Sequence, residues 1–133
     1  MRVWGRRSNI ETIKAWVEAA NARDYDALAA VMAEDFTIVD SSGDELAGRD
    51  ACLDMMVNLF LRAPDHSIQV DSFVQRGDEV LMTGMTRSSN PQHATSTHFV
   101  ARANHEHVLR WQSFSANPTH TLKHFQSQSQ SAA

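Results

Sequence analysis

The spacing of apolar residues changes along this chain, from intervals of three and four residues before His66 to an alternation of two after it. Intervals of three and four place side chains on one face of a helix, whereas alternation is typical of half-buried strands. The sequence therefore predicts helices first and an antiparallel sheet second, which is an α+β architecture. At 133 residues the chain is long enough for one hydrophobic core and too short for two.

Three helices are predicted in the first half. Ser8 begins a capping box, and the first helix runs to about Ala22. Asp24 is placed to cap the second helix, and the third begins after Gly48 and ends before Pro64. Their apolar faces contain, in order, Ile10, Ile13, Trp16, Val17 and Ala20; Tyr25, Leu28, Val31 and Met32; and Cys52, Met55, Met56, Leu59 and Phe60.

Five strands are predicted, over residues 36–39, 67–75, 79–87, 93–103 and 107–116. The first ends at Asp40, where Asp-Ser-Ser-Gly indicates a turn. The other four form two hairpins. We expect one domain over residues 8–117, preceded by a short extension at 1–7 and followed by a flexible Gln/Ser-rich tail at 118–133.

Charge and composition exclude several classes of protein. The net charge of −4 and the pI near 5.9 provide no basic surface for nucleic acid or for an anionic membrane. No run approaches the roughly 20 apolar residues that cross a bilayer, and no signal peptide is recognised. We expect a cytoplasmic protein without a cofactor.

A metal site is not expected either. The single cysteine, Cys52, cannot form an internal disulfide. His105 and His107 fall in a predicted turn, where side chains face water, and His120 and His124 fall in the predicted tail.

Several short motifs appear in a characteristic order. They are Trp16-Val-Glu-Ala-Ala-Asn-Ala-Arg-Asp-Tyr-Asp-Ala-Leu28, Met32-Ala-Glu-Asp-Phe36, Asp40, Gly48-Arg-Asp50 and the closing Trp111-Gln-Ser-Phe114. Together they resemble the NTF2-like superfamily, in particular its SnoaL-like polyketide cyclase and ketosteroid isomerase-like branch. The resemblance implies a cone-shaped, curved antiparallel sheet wrapped around three N-terminal helices, with a deep apolar cavity. It also implies a homodimer formed through the outer sheet face.

The resemblance assigns catalytic candidates. Asp40 matches the carboxylate that moves a proton next to a carbonyl; the alternative is that Asp40 only forms the turn. Trp16 stands where the isomerases carry a tyrosine. The position of their second acid falls on His98 or, with a one-residue gap, on Phe99, which argues against steroid isomerisation by that mechanism. His98 could polarise a carbonyl or assist Asp40, or be an ordinary strand histidine, and His93 should face the opposite side.

Six further residues are candidates for substrate binding. They are Met32, Met55 and Met56 on helix faces that line the cavity in relatives, and Trp111, Ser113 and Ser115 on one face of the last strand. Plain core packing is the alternative for the methionines. Cyclase and epoxide-hydrolase relatives often carry an acid near the end of the last strand. This chain has Ser115, Ala116 and Asn117 there, so the resemblance gives little support to a hydrolase that activates water with a pair of acids.

Two functions follow from these residues. The first is a cofactor-independent enzyme of the isomerase, cyclase or lyase type, which moves a proton on a hydrophobic carbonyl compound. The second is a non-catalytic module for ligand binding or dimerisation. For either function we expect this protein to bind a small hydrophobic molecule.

Overall fold

The computed structural model describes residues 7–90 and 94–125. The helices are α1 (Asn9–Ala22), α2 (Tyr25–Ala30) and α3 (Arg49–Arg62). The strands are β1 (Met32–Val39), β2 (Glu45–Ala47), β3 (Ser67–Arg76), β4 (Glu79–Arg87), β5 (Ser96–Ala103) and β6 (Val108–Ser115). A further helical turn covers residues 121–125. The predicted α+β order is confirmed.

The six strands form one curved, unclosed sheet in the order β2-β1-β6-β5-β4-β3. All neighbours are antiparallel except β1 and β6, which run parallel. In β3, Asp71 is an extra residue between the pairs that Val70 and Ser72 form with β4, and such a bulge bends a strand. Gly84 faces this bulge, and a Cβ there would collide with the carbonyl oxygen of Gln69. Only glycine permits this approach of the two strands.

Local signals explain the ends of α1. Ser8 accepts a hydrogen bond from the Glu11 amide at 3.1 Å, and the Glu11 carboxylate accepts one from the Ser8 amide at 2.8 Å. At the other end Arg23 adopts the left-handed conformation (φ 58°) that ends a helix. Its guanidinium donates to the carbonyl oxygens of Pro64 and His66, at 3.0 and 2.7 Å. The predicted caps at Ser8 and, for α2, at Asp24 are confirmed. Arg23 ties α1 to the start of β3.

Aromatic rings join the helices to the inner face of the sheet. Trp16 of α1 stacks on Trp111 of β6, with ring centroids 4.6 Å apart. Phe99 of β5 lies 5.1 Å from Trp111, and Phe36 of β1 lies 5.9 Å from Trp16. The buried face of α3 comprises the five residues predicted for it. The core therefore lies between the helices and the concave side of the sheet.

The first strand differs from its prediction. Helix α2 ends at Ala30, so Met32 is the first residue of β1 and not part of a helical stripe. The short strand β2 was not predicted, because three residues carry almost no periodic signal and their pairing with β1 is tertiary.

The C-terminal boundary also differs. Leu122 and Phe125 fall in the predicted flexible tail, but both side chains are buried, with 1% and 0% of their surface exposed. Their spacing of three residues is helical, but the many Gln and Ser residues around them keep the average hydrophobicity of the predicted tail low. The domain therefore includes at least residues 118–125. The remaining tail, residues 126–133, and most of the predicted N-terminal extension lie outside the described residues.

Candidate functional site

A cavity of about 80 Å³ lies between the helices and the concave face of the sheet. A single water needs roughly 10–15 Å³, so this space holds several waters or a small organic group. Six of the nine predicted site residues line it: Trp16, Asp40, Met55, Met56, Trp111 and Ser113. Six of the other lining residues are apolar: Ile38, Val39, Leu59, Phe60, Ile68 and Leu122. The remaining seven are polar: Ser41, His66, Thr86, Thr95, Ser96, Thr119 and Thr121. The cavity is suited to a small, mainly apolar molecule.

Trp16 lines this cavity, and its indole ring carries one hydrogen-bond donor. The residue is 1% exposed, and its indole Nε1 has no hydrogen-bond partner among the residues that the structure describes. A buried donor without an acceptor costs about 1–3 kcal/mol, so such groups are rare unless a ligand or water completes them. The indole can donate to a ligand oxygen, but it is a poor proton relay.

Asp40 lies at the end of β1 and is 7% exposed. Its Oδ1 accepts hydrogen bonds from the amides of Ser42 and Asp44, both at 3.0 Å, and from the Ser42 hydroxyl at 2.7 Å. Its Oδ2 accepts one bond, from the Leu122 amide at 3.0 Å. A carboxylate offers about four lone-pair sites, so the free acceptor capacity is on Oδ2. Asp40 thus forms the predicted turn and also lines the cavity.

A second carboxylate, Asp44, lies next to this turn. Its Oδ2 is 2.8 Å from His120 Nδ1, and its Oδ1 is 3.5 Å from Lys123 Nζ. The hydrogen bond with His120 is the largest of the effects that hold the pKa of Asp44 below its ordinary value; Ser42 and Lys123 act in the same direction. Burial acts in the opposite direction and is second in size to the hydrogen bond with His120. The cluster attaches the C-terminal residues to the β1–β2 turn.

His98 is not in the cavity. Its side chain is exposed on the outer face of β5, where Nδ1 lies 3.0 Å from the Thr97 hydroxyl. Phe99, the alternative at that position, is buried and faces inward. The reason is the strict alternation of a strand: Phe99, Ala101 and Ala103 are apolar and share the inner face, so His98 lies opposite. The assignment of His98 to the site was therefore wrong, and His93 lies outside the described residues.

Two predicted substrate-binding residues also lie elsewhere. Met32 is fully buried at the start of β1 and packs in the core outside the cavity lining. Ser115 is half-buried at the end of β6, and its hydroxyl accepts a hydrogen bond from the Asn117 amide at 3.0 Å. It therefore caps the following loop.

The cavity contains polar residues that the sequence analysis did not single out. His66 is 8% exposed and lines the cavity, with its ring centroid 5.7 Å from that of Phe60. Thr119 and Thr121, together with Leu122, line it from the C-terminal end. The helical spacing of Leu122 and Phe125 was the one signal for this segment; nothing in the spacing around His66 pointed to a cavity.

Cys52 contributes no nucleophile to the site. It is fully buried on α3, its thiol donates to the Leu46 carbonyl oxygen at 3.3 Å, and burial raises its pKa to about 11. The described residues contain no group of three or more His, Cys, Asp or Glu side chains placed to hold a metal ion. Nor do they include a helix that is long and apolar enough to span a membrane.

Solved structures share this fold. IdmH, a proposed polyketide cyclase from Streptomyces antibioticus, is 20% identical, with a TM-score of 0.68 over 81% of this chain and 91% of that one. A proposed ketosteroid isomerase from Kribbella flavida is 16% identical, with a TM-score of 0.65 over 80% and 76%. A LEH-like epoxide hydrolase from M. tuberculosis is 13% identical, with a TM-score of 0.69 over 80% and 76%. At such identities the likeness shows the fold alone.

A family comparison goes further than the structural one. No curated protein matches the sequence significantly. A family model described as a SnoaL-like domain matches residues 13–115, a range that begins within α1 and ends with β6. That range covers most of the chain and all six strands, so the chain belongs to the SnoaL-like domain family of the NTF2-like superfamily.

Proposed function

We propose that the cavity binds a small hydrophobic carbonyl compound and moves a proton next to its carbonyl group, in a reaction of the isomerase, cyclase or lyase type. The observation that carries this proposal is that Trp16, whose buried indole N–H has no hydrogen-bond partner among the residues that the structure describes, lines the same cavity as Asp40. Polyketide cyclases and ketosteroid isomerases among the structural neighbours share the fold and support the class of reaction by analogy.

Binding follows from the lining. The apolar side chains favour a hydrophobic molecule, and an acceptor atom on that molecule would give the Trp16 N–H the hydrogen-bond partner that it lacks among the described residues. A carbonyl oxygen meets both demands, because it is a strong acceptor on an otherwise apolar skeleton. One histidine and four threonine side chains in the lining can orient further polar groups: His66, Thr86, Thr95, Thr119 and Thr121.

Proton transfer would use Asp40. Its Oδ2 has a lone pair beyond the one that accepts from Leu122, and this oxygen can take a proton from the carbon next to the carbonyl. The C–H bond breaks and an O–H bond forms on Asp40; the C–H electron pair becomes a C=C bond, and the π electron pair of the carbonyl moves onto its oxygen. The hydrogen bond from Trp16 then stabilises the negative charge on that oxygen. The reaction ends when Asp40 returns the proton to the ligand.

Binding without turnover is the second candidate. It is favoured by the four hydrogen bonds on Asp40, which engage most of its lone pairs and fix its orientation. A carboxylate held in this way has a structural role whether or not it accepts a proton.

The test uses 2-tetralone, a compact ketone with exchangeable C–H groups next to the carbonyl. Binding is followed by the indole N–H resonance of Trp16 in ¹H–¹⁵N NMR spectra, and turnover by deuterium uptake into the ketone in D₂O. We expect the resonance to move downfield on binding and Trp16→Phe to weaken binding roughly 2–10-fold, the value of one hydrogen bond. Deuterium uptake should exceed that in buffer, and Asp40→Asn should reduce it to the rate in buffer.

Asp54→Asn is the matched control, since it removes an exposed carboxylate from α3. It should leave binding and deuterium uptake unchanged. Binding without enhanced uptake in the wild-type protein would favour the second candidate. Failure of the wild-type protein to bind would overturn the proposal as a whole.

A further inference from the structure

We infer that the C-terminal segment, residues 118–125, forms the wall of the cavity that limits ligand size, and that Leu122 is the residue that sets this limit. The inference rests on the proposed function, since it takes the cavity to be the ligand site. It concerns residues beyond the range that the family model matches, which ends at residue 115.

The segment contacts the cavity directly. Thr119, Thr121 and Leu122 all line it. The backbone is held there by two hydrogen bonds to the β1–β2 turn, from the Leu122 amide to Asp40 Oδ2 at 3.0 Å and from the Thr119 amide to the Ser41 hydroxyl at 2.9 Å. Because Asp40 is itself fixed by the turn, the position of Leu122 against the cavity is defined by the backbone.

Apolar packing fixes the segment from the inside. Leu122 is 1% exposed and belongs both to the core and to the cavity lining. Phe125, one helical turn later, is fully buried in the core but does not line the cavity. Phe125 therefore anchors the segment, while Leu122 occupies space that a ligand could use.

Charged groups hold the outer side. Asp44 lies within 2.8 Å of His120 Nδ1 and 3.5 Å of Lys123 Nζ. His120 and Lys123 therefore contact the β1–β2 turn through Asp44, whereas Leu122 and Phe125 pack into the core. A wall attached on both sides restricts what the cavity admits.

Shortening Leu122 should therefore change which ligands fit. Leu122→Ala leaves a single methyl group, and the space released adjoins the existing cavity. A longer ligand can fill that space with apolar atoms, at roughly fourfold in affinity for each methylene buried. A short ligand leaves it empty and should bind no better than before.

The experiment measures the affinities of phenyl alkyl ketones of increasing chain length by calorimetry. For the wild-type protein we expect affinity to rise with length and then fall at a limit. In Leu122→Ala this limit should move to a longer chain, with a gain of about fourfold for each methylene that becomes accommodated. Leu122→Val, a smaller truncation, gives the same comparison if Leu122→Ala does not fold.

Leu28→Ala is the matched control. Leu28 is fully buried in the core, like Leu122, but it does not line the cavity. The control should lose thermal stability and keep the wild-type length limit. If Leu122→Ala and Leu122→Val both keep the wild-type length limit while the wild-type protein binds the ketones, the inference is overturned and the proposed function stands. If the wild-type protein binds none of the ketones, the proposed function fails and the inference fails with it.

Discussion

The carboxylate of Asp40 joins two parts of the chain that lie 82 residues apart. On Oδ1 it closes its own turn, and on Oδ2 it accepts the Leu122 amide. The turn is a local preference of aspartate, which readily binds backbone amides two residues ahead. The second bond requires the folded domain. One side chain thus shapes the end of β1 and the edge of the cavity.

Asp44 should make the stability of the protein depend on acid pH. The pKa of its carboxyl is lowered in the folded state, mainly by the hydrogen bond with His120. A carboxyl whose pKa is lowered on folding stabilises the folded state at pH values above its unfolded-state pKa, which is about 3.9 for aspartate. This stabilisation is lost as the pH falls through the lower pKa of the folded state. In thermal unfolding between pH 6 and pH 2.5, Asp44→Asn should melt below the wild-type protein at pH 6. The difference should shrink below about pH 4.

Asp54→Asn again serves as the control, because it removes an exposed carboxylate outside the Asp44 cluster. A difference between Asp44→Asn and the wild-type protein that is the same at pH 6 and pH 2.5 would show that Asp44 contributes no pH-dependent stability.

At the scale of elements, the helical turn at residues 121–125 completes the core. Its two buried side chains, Leu122 and Phe125, pack with residues of the helices and of the sheet. A segment this short has little helical stability of its own, so its structure depends on the surface it covers. The opposite holds for the start of α1, where the capping box is encoded within the element.

Truncation after Asn117 should destabilise the protein. It removes Leu122 and Phe125, and burying a large apolar side chain contributes about 1.5–3 kcal/mol, so the free energy of unfolding should fall by roughly 3–6 kcal/mol. Urea unfolding followed by circular dichroism measures this loss. A chain ending after Phe125 is the control, because it keeps both side chains and should unfold like the full protein. Equal stability of the two truncated proteins would contradict the role given to this turn.

At the scale of the whole molecule, the convex face of the sheet carries an apolar stripe. Val74, Leu81 and Val100 lie side by side across β3, β4 and β5, and Phe114 lies on the same face of β6. Leu81 and Phe114 are 37% and 41% exposed. Exposed apolar stripes of this kind often mark surfaces that another protein covers. The homodimer implied by the family resemblance stays a prediction, and this stripe is the surface that fits it.

Analytical ultracentrifugation should find a dimer at micromolar concentration. Leu81→Lys places a charge in the stripe and should shift the protein to a monomer, because a buried unpaired charge opposes association. Leu61→Lys is the matched control, since Leu61 is 74% exposed on α3 and away from the sheet. A wild-type monomer, or a dimer that Leu81→Lys leaves intact, would exclude pairing through this face.

The sequence by itself determined the elements whose signals lie within a few residues: the cap at Ser8, the buried face of α3 and the hairpin over residues 67–87. Through the family resemblance it also named Asp40 and Trp16 as candidates; both line the cavity, and their roles stay predictions. Each of these rests on local periodicity or on short motifs.

Only the tertiary structure decided that β1 and β6 run side by side in parallel, and that Leu122 lines the cavity. These features join residues that are far apart in the sequence. They depend on packing and on hydrogen bonds that form only when the whole sheet has bent around the helices, so no local pattern carries them.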